Sequence, residues 1–364
     1  MNIYCLNEGY IMKVKIITIH DPDVNYGSTL QSCGTYNFIK ELGYDVEIIN
    51  YRPNYKSLFQ NIKKYVPRAL FLKSSILRRC KINKYFIKHA VLTRKYKSAK
   101  ELYNTPPVAD VYITGSDVIW NRDVNPEGGD SSYYLGFVQN GHKVSYAPSM
   151  GEIQSIENVS YIANQIRDFD FISVREEKSR QQLIEAGLVN VQCVLDPVFL
   201  MPCQYYVDQI GENNYGDYTL VYLMSESIQK RTVVAALTKK FENKVISFGG
   251  LKKKVKCDLF IRDAGVEDFL SLIYHAKFII TDSFHCIAFS LIFNKQFVYL
   301  PAIDSSMRIE NLLSYFNLEK QIITGIDNPR NVSDYHIDYS RVNPILNEKI
   351  EKSKKYLIDA LKHF

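Results

Sequence analysis

Short apolar runs alternate with helix-patterned stretches along most of this chain, and no other feature narrows its possible folds so far. In the first half, strand-like runs lie at Lys13–Ile19, Val46–Asn50, Val111–Thr114, Lys143–Tyr146, Phe171–Val174 and Val191–Leu195. Helical patterns separate them, among them Thr29–Leu42, closed by Gly43, and Glu177–Ala186, stopped by Gly187. Strands fed by helices in this way build a parallel, doubly wound sheet. Residues 196–218 carry no clear period and hold Pro, Gly and Asn. A second alternating set then begins at Thr219–Met224 and continues through Val245–Phe248, Leu259–Ile261, Phe278–Thr281 and Phe297–Leu300, before a Lys-rich helix over Asn343–Phe364. A chain of 364 residues holds two such units comfortably. The expectation is therefore α/β: two doubly wound Rossmann-like domains, 1–200 and 201–340, with the active site in the interdomain cleft. Residues 341–364 form a terminal helix expected to cross back to the first domain.

Composition narrows the class. Apolar residues at 46% and charged ones at 23% describe a globular chain, not a disordered one. The seven cysteines are scattered and form no Cys-X-X-Cys pair, which argues for reduced thiols in a cytoplasm and against a disulfide framework or zinc knuckle. No apolar run approaches a membrane span. Residues 1–11 lack a signal-peptide core and read as a poorly ordered extension before Met12.

The net charge of +6 conceals a strong asymmetry. From Arg52 to Lys100 there are fifteen Lys or Arg and no acid, leaving 45 − 15 = 30 basic against 39 acidic residues elsewhere. A stretch this basic attracts phosphates, nucleic acid or an anionic membrane face. No nucleic-acid motif accompanies it. Apolar residues interleave with the charge at Ile62, Tyr65, Val66 and Leu70, and again at Ile82, Tyr85 and Phe86, a spacing that suits surface-lying amphipathic helices. A basic helical insertion is expected at about 52–100, bound to an anionic membrane surface or, in the plainer reading, solvated and packed by its apolar face.

The segment Thr281-Asp282-Ser283-Phe284-His285 closes one strand-like run and is followed at once by the helix-compatible stretch Cys286–Phe293. A strand breaking sharply into a helix offers unpaired N–H groups that favour a phosphate or carboxylate. Asp282 or Ser283 can cap that helix, which puts His285 in its first turn beside the anion site. The alternative is a satisfied histidine at an ordinary corner.

The neighbouring segments, in order, are Asn25-Tyr26-Gly27-Ser28, Ile49-Asn50-Tyr51-Arg52-Pro53, Gly115-Ser116-Asp117-Val118-Ile119-Trp120-Asn121, Ser173-Val174-Arg175-Glu176, Gly265 to Ile273, and Ser306-Met307-Arg308-Ile309-Glu310. Together with the His285 segment, this ordered set resembles the polysaccharide pyruvyl transferase family over about Lys13 to Leu318. The resemblance implies a GT-B-like arrangement and transfer of pyruvate from phosphoenolpyruvate onto a sugar of a surface polysaccharide or its polyprenyl-linked precursor, as a ketal. Some members have Arg where this chain has Ser283, and Gly where it has Cys286.

These readings assign His285 as the acid–base group. Arg175 and Arg308 are the cations for phosphoenolpyruvate, with Asp282 and Ser283 beside them; surface pairing of Arg175 with Glu176 or Glu177 is the competing reading. Asn25, Gly27 and Ser28 form the first domain's loop for the acceptor sugar, Ser28 capping the helix. Ser116 and Asp117 contribute hydroxyl contacts, and Trp120 either stacks on a sugar ring or is a core residue. Asp21-Pro22-Asp23 reads as a loop. No metal-ligand spacing is present, and no metal or cofactor is expected. The location expected is cytoplasmic, peripheral at the inner face of the plasma membrane. Two rivals stand beside this reading: a nucleotide-sugar glycosyltransferase on the same scaffold, and a non-catalytic glycan-binding member.

Overall fold

The computed structural model describes residues 10–20, 25–53, 72–121, 129–151, 154–241, 243–250, 252–301, 307–324 and 332–364. Outside them lie most of the expected N-terminal extension, the Asp21-Pro22-Asp23 loop, and the part of the basic segment with Ile62, Tyr65, Val66 and Leu70.

The first domain contains β1 (Lys13–Ile17), α1 (Tyr26–Glu41), β2 (Asp45–Tyr51), α2 (Leu72–His89), β3 (Leu92–Tyr96), α3 (Ala99–Asn104), β4 (Val111–Thr114) and β5 (His142–Ser145). Its sheet is parallel throughout, in the order β3-β2-β1-β4-β5, with Ile16 opposite both Ile48 and Ile113. Strands buried on both faces demand such continuous apolar runs. The next four elements are α4 (Ile156–Gln165), β6 (Ser173–Val174), α5 (Glu177–Glu185) and β7 (Gln192–Cys193). β6 and β7 were expected to extend the main sheet. They instead form a separate two-stranded sheet, tied to β5 by a bridge between Val144 and Phe171. β3 was not expected at all, because its Leu-Thr-Arg-Lys-Tyr sequence reads as part of the basic helical segment. It is an edge strand, where charged side chains are tolerated and discourage further pairing.

After α6 (Cys203–Val207) the second domain repeats the plan with β8 (Tyr218–Tyr222), α7 (Ile228–Thr238), β9 (Lys244–Phe248), β10 (Leu259–Ile261), α8 (Val266–His275), β11 (Phe278–Thr281), α9 (Phe284–Ile292), β12 (Phe297–Tyr299) and α10 (Met307–Ser314). Its parallel sheet runs β10-β9-β8-β11-β12. The terminal helix α11 (Tyr339–Lys362) is capped by Asp338, whose side chain accepts from Ser340 N. It returns across the first domain: Tyr356 Oη donates to Ser145 O at 2.9 Å, Leu195 N donates to Ser353 Oγ at 2.9 Å, and Phe364 stacks on His142.

The two sheets share one apolar core that runs from Ile16, Ile48 and Ile113 through Val198 and Phe199 to Leu220, Ile246 and Phe289. Tyr26, from the first domain, stacks on Phe269 of the second at 5.0 Å and donates to Ala264 O at 3.0 Å. In each sheet the strand order reverses at one place, between β1 and β4 and between β8 and β11. Crevices open beyond the carboxyl ends of strands at such reversals, which is where ligands of doubly wound sheets bind.

Candidate active site

The loops leaving the strands at the two reversals meet. From the first domain come the α1 start and the turn after β4; from the second comes the α9 start. Asn25, not Ser28, caps α1, its Oδ1 accepting from Gly27 N at 2.9 Å, while the buried Ser28 hydroxyl turns back to Asn25 O. Gly27 is required by a contact across the domains. A Cβ at that position would collide with Nδ1, Cε1 and Cγ of the His285 ring.

Ser283 caps α9, with Oγ accepting from Cys286 N, so His285 falls in the first turn as the sequence suggests. The imidazole is buried, and its Nε2 has no hydrogen-bond partner among the described residues. That atom lies 3.7 Å from Asp196 Oδ2. Burial holds the imidazole below its ordinary pKa; Asp196 and Asp117 pull it upward, and Arg175 and Arg308 oppose them.

Asp196 is the hub that sequence reasoning missed. Its Oδ2 accepts from Arg175 Nη1 at 2.7 Å and from Ser116 Oγ at 3.2 Å, and its Oδ1 accepts from Val198 N at 3.1 Å. The signal available was an Asp before Pro197, but it lay in the stretch without period, which was assigned to a domain boundary.

Arg175 follows β6 directly and is buried, not on the surface. Its Nε donates to Glu176 Oε1 at 3.0 Å and its guanidinium lies 4.5 Å from the centre of the Phe284 ring. Burial works against its charge, but Glu176 and Asp196 outweigh that cost and hold it above the usual range. Arg175 Nη2 and Glu176 Oε2 are buried without hydrogen-bond partners among the described residues.

Arg308, in the first turn of α10, brings Nη1 within 4.0 Å of Asp117 Oδ1. Asp117 has a positive φ of 73°, a conformation that Asp tolerates better than most residues, and its Oδ1 also accepts from Val118 N. His285, Arg175, Ser116, Asp117, Gly27, Ser283 and Arg308 thus gather around one junction.

Two expected site residues lie apart from it. The Asp282 carboxylate is turned into its own domain. Oδ1 accepts from Met224 N at 2.5 Å, while Oδ2 accepts from Ser225 N, Ser225 Oγ and Lys230 Nζ. With four donors, one of them Lys230 in a buried ion pair, it pins β11 to the segment after β8 and is turned away from the junction. Trp120 is fully buried, stacked on Tyr134 at 5.9 Å, with Nε1 donating to Tyr133 O. Its ring has no face for a sugar. Among the described residues no three His, Cys, Asp or Glu side chains converge as a metal site, and no helix is long and apolar enough to cross a membrane.

Comparison with known proteins adds two findings. The sequence profile of the family described as polysaccharide pyruvyl transferase matches residues 25–302. Among solved structures, the UDP-N-acetylglucosamine 2-epimerase from Rickettsia bellii is 12% identical with a TM-score of 0.56, the match covering 98% of this chain and 97% of that one. The UDP-GlcNAc 2-epimerase from Neisseria meningitidis, bound to UDP-GlcNAc, is 10% identical with a TM-score of 0.55, covering 97% and 100%. The Candida albicans trehalose-6-phosphate phosphatase N-terminal domain is 8% identical with a TM-score of 0.53, covering 98% of each chain. At these identities the likeness is one of fold, and the fold is GT-B-like. Among curated protein sequences none matches the chain.

Proposed function

The chain belongs to the polysaccharide pyruvyl transferase family, and on that premise we propose that it moves pyruvate from phosphoenolpyruvate onto a sugar of a surface polysaccharide or its lipid-linked precursor. The observation that carries this reading is the buried, unpartnered Nε2 of His285 beside the buried, unpartnered Nη2 of Arg175 network, at the start of a helix. Buried polar atoms are nearly always paired, so two orphan nitrogens at one junction, with the Glu176 Oε2 orphan beside Arg175, support a polar ligand there.

Phosphoenolpyruvate brings a phosphate, a carboxylate and an enol carbon that must gain a proton. Arg175 Nη2, Arg308 and the first N–H groups of α9 are the donors for its anionic groups, with the Ser283 hydroxyl at the same helix start. Burial keeps the unliganded imidazole neutral at pH 7, and the arriving negative charge raises its pKa so that it takes up a proton. His285 gives that proton to the methylene carbon, leaving an oxocarbenium-like centre. One sugar hydroxyl attacks this centre, phosphate leaves, and a second hydroxyl closes the ketal. Of the two hydroxyl protons, one returns to His285 and one departs with phosphate, which restores the enzyme. Asp117 and the Asn25 amide are the acceptor-facing groups. Asp196 holds Arg175, Ser116 holds Asp196, and neither needs to touch the sugar. Asp282 is a positioning residue in this scheme.

The acceptor is read as polyprenyl-linked, and the protein as peripheral at the inner face of the plasma membrane, because the cations concentrate in residues 52–100.

Phosphoenolpyruvate and candidate lipid-linked acceptors, incubated with the protein, should yield acceptor carrying pyruvate by mass spectrometry, with one phosphate released per ketal. His285→Ala should lower this turnover by about 10²–10⁴-fold with the melting temperature retained. Calorimetry at pH 7 in buffers of different ionisation heat should show proton uptake on phosphoenolpyruvate binding that the variant lacks. Nucleotide-sugar enzymes share the fold, so melting is also compared with UDP-sugars. A melting temperature raised by UDP-sugars and indifferent to phosphoenolpyruvate would move the protein to the glycosyltransferase reading. Phosphoenolpyruvate binding without turnover on any acceptor would favour a non-catalytic glycan binder.

A further inference from the structure

We infer that the outer face of α2 docks on an anionic lipid bilayer, and that it does so with the acceptor-binding loop of the site carried on the inner face of the same helix. The inference rests on the lipid-linked acceptor proposed above and names the surface that would reach it. α2 has two apolar faces. Ile82, Tyr85 and Phe86 point inward and are buried in the core shared by the two domains. Leu72, Ile76, Cys80 and Ile87 lie 4, 4 and 7 residues apart, so they line one stripe of the helix, interrupted by the polar, half-buried Asn83. The stripe faces solvent: Leu72 is 55%, Ile76 51% and Ile87 74% exposed, and Leu77 and Val91 beside it are also exposed.

Single exposed apolar residues are ordinary, but a helical stripe of them is not. Its borders argue for the occupant. Lys73, Arg79, Lys84 and Lys88 are exposed along α2, and none of the three lysines forms an ion pair among the described residues. No acid occurs anywhere between Arg52 and Lys100. An apolar stripe edged by cations, of which Lys81 is paired with Asp263 and Asp268 of the second domain, fits the interface of an anionic membrane, where acyl chains take the apolar groups and lipid phosphates meet the unpaired lysines. A protein partner with an acidic rim around an apolar strip is the weaker fit, since nothing on α2 offers the mixed charge that fixes a register.

The inner face explains what docking would achieve. Phe86 stacks on His20 at 5.6 Å, where the chain leaves β1 toward Asn25, and Arg78 acts electrostatically on Tyr26, the neighbour of Gly27. α2 therefore sits between the bilayer-facing stripe and the loop that meets His285. A helix with its side chains is about 10–12 Å across, so α2 spans that distance between the bilayer-facing stripe and its contacts with His20 and Tyr26.

The test is sedimentation of the full chain with vesicles of phosphatidylglycerol and phosphatidylcholine, against phosphatidylcholine alone, at low and high salt. The parent should pellet with the anionic vesicles, more weakly as salt rises. Lys73→Gln/Lys84→Gln/Lys88→Gln should weaken that binding by about 10²-fold, the loss of three surface cations. Ile76→Ser/Ile87→Ser should weaken binding that survives high salt. Both variants alter exposed residues, and unchanged melting temperatures verify that they fold. Absence of parent binding at low salt overturns the inference, as does a concentration-dependent dimer in sedimentation velocity that Ile76→Ser/Ile87→Ser abolishes. Turnover on a water-soluble acceptor separates the two readings. Intact turnover without vesicle binding sinks the docking surface alone, whereas vesicle binding with phosphoenolpyruvate inert sinks the pyruvyl reading alone.

Discussion

Gly27 and His285 stand 258 positions apart in sequence and belong to different domains, yet the His285 ring occupies the space a Cβ at Gly27 would take. Gly27 is the second residue of α1, where helical geometry suits alanine at least as well as glycine and favours it by about 0.5–1 kcal/mol in a helix interior. Gly27→Ala should gain that much locally, but overpacking against a buried ring costs about 1–3 kcal/mol, so it should fold with a melting temperature somewhat below the parent's. The added methyl must push the imidazole aside, because a Cβ there overlaps the ring. Turnover should fall by about 10²–10⁴-fold, the same range as for loss of His285 itself. Phosphate release and the imidazole resonances of His285 by NMR read this directly. A variant keeping more than about a tenth of parental turnover, with the ring signals unmoved, would show that the close approach has no part in the chemistry. The position of His285 in a first turn was legible in the chain, since it follows from a strand, a capping Ser and an apolar helix. Its partners were not. The Gly27 and Asp196 approaches to His285 depend on how the two domains dock, and the bonds from Asp196 to Arg175 and Ser116 on how distant segments of the first domain pack, neither of which a local pattern encodes.

Among elements, the strand ends of the second domain show how a carboxylate can belong to a motif without serving the ligand. Asp282 and Lys230 form a buried pair at 2.6 Å, and the backbone N–H groups of Met224 and Ser225 occupy the remaining acceptor positions. Removing the charge strands the Lys230 ammonium, so Asp282→Asn should cost about 3–5 kcal/mol, the usual penalty for breaking a buried pair from one side. Urea unfolding measures it. Phosphoenolpyruvate affinity of the folded fraction should change less than threefold, because no substrate contact is lost; a tenfold loss of affinity at parental stability would restore Asp282 to the binding site. Sequence reading fared unevenly here for physical reasons. β4 and β11 fall where the apolar runs place them, because strands covered on both faces must be apolar throughout. β3 escaped notice because an edge strand need satisfy only one neighbour, and its Arg and Lys look no different from those of the preceding helix. Trp120 was offered to a sugar or to the core, and chemistry alone supports both. The choice was made by Tyr134, Phe169 and the Tyr133 carbonyl, which the fold brings to it.

At the scale of the whole molecule the shared core and α11 both join the two domains. The core places Tyr26 against Phe269 and Phe248, and α11 returns to bury Leu357, Ala360 and Leu361 and to hold Ser145 and Leu195 by hydrogen bonds. A cleft built by two domains positions His285 only while both attachments hold, so the domains should unfold together. Trp120 is the only tryptophan and lies in the first domain, so its fluorescence reports that domain, while far-UV circular dichroism reports both. The two signals should give one coincident urea transition in the parent. Leu357→Ala removes a fully buried side chain from α11, at a cost of about 2–5 kcal/mol. Because the loss falls on the attachment to the first domain, the fluorescence midpoint should drop further than the circular dichroism midpoint, and the single transition should split. Turnover should fall before either transition, since the site needs the domains in register. Two separate transitions in the parent would show that the cleft is a loose contact. Coincident midpoints in Leu357→Ala, lowered together, would show instead that the shared core alone couples the domains and that α11 contributes only local stability.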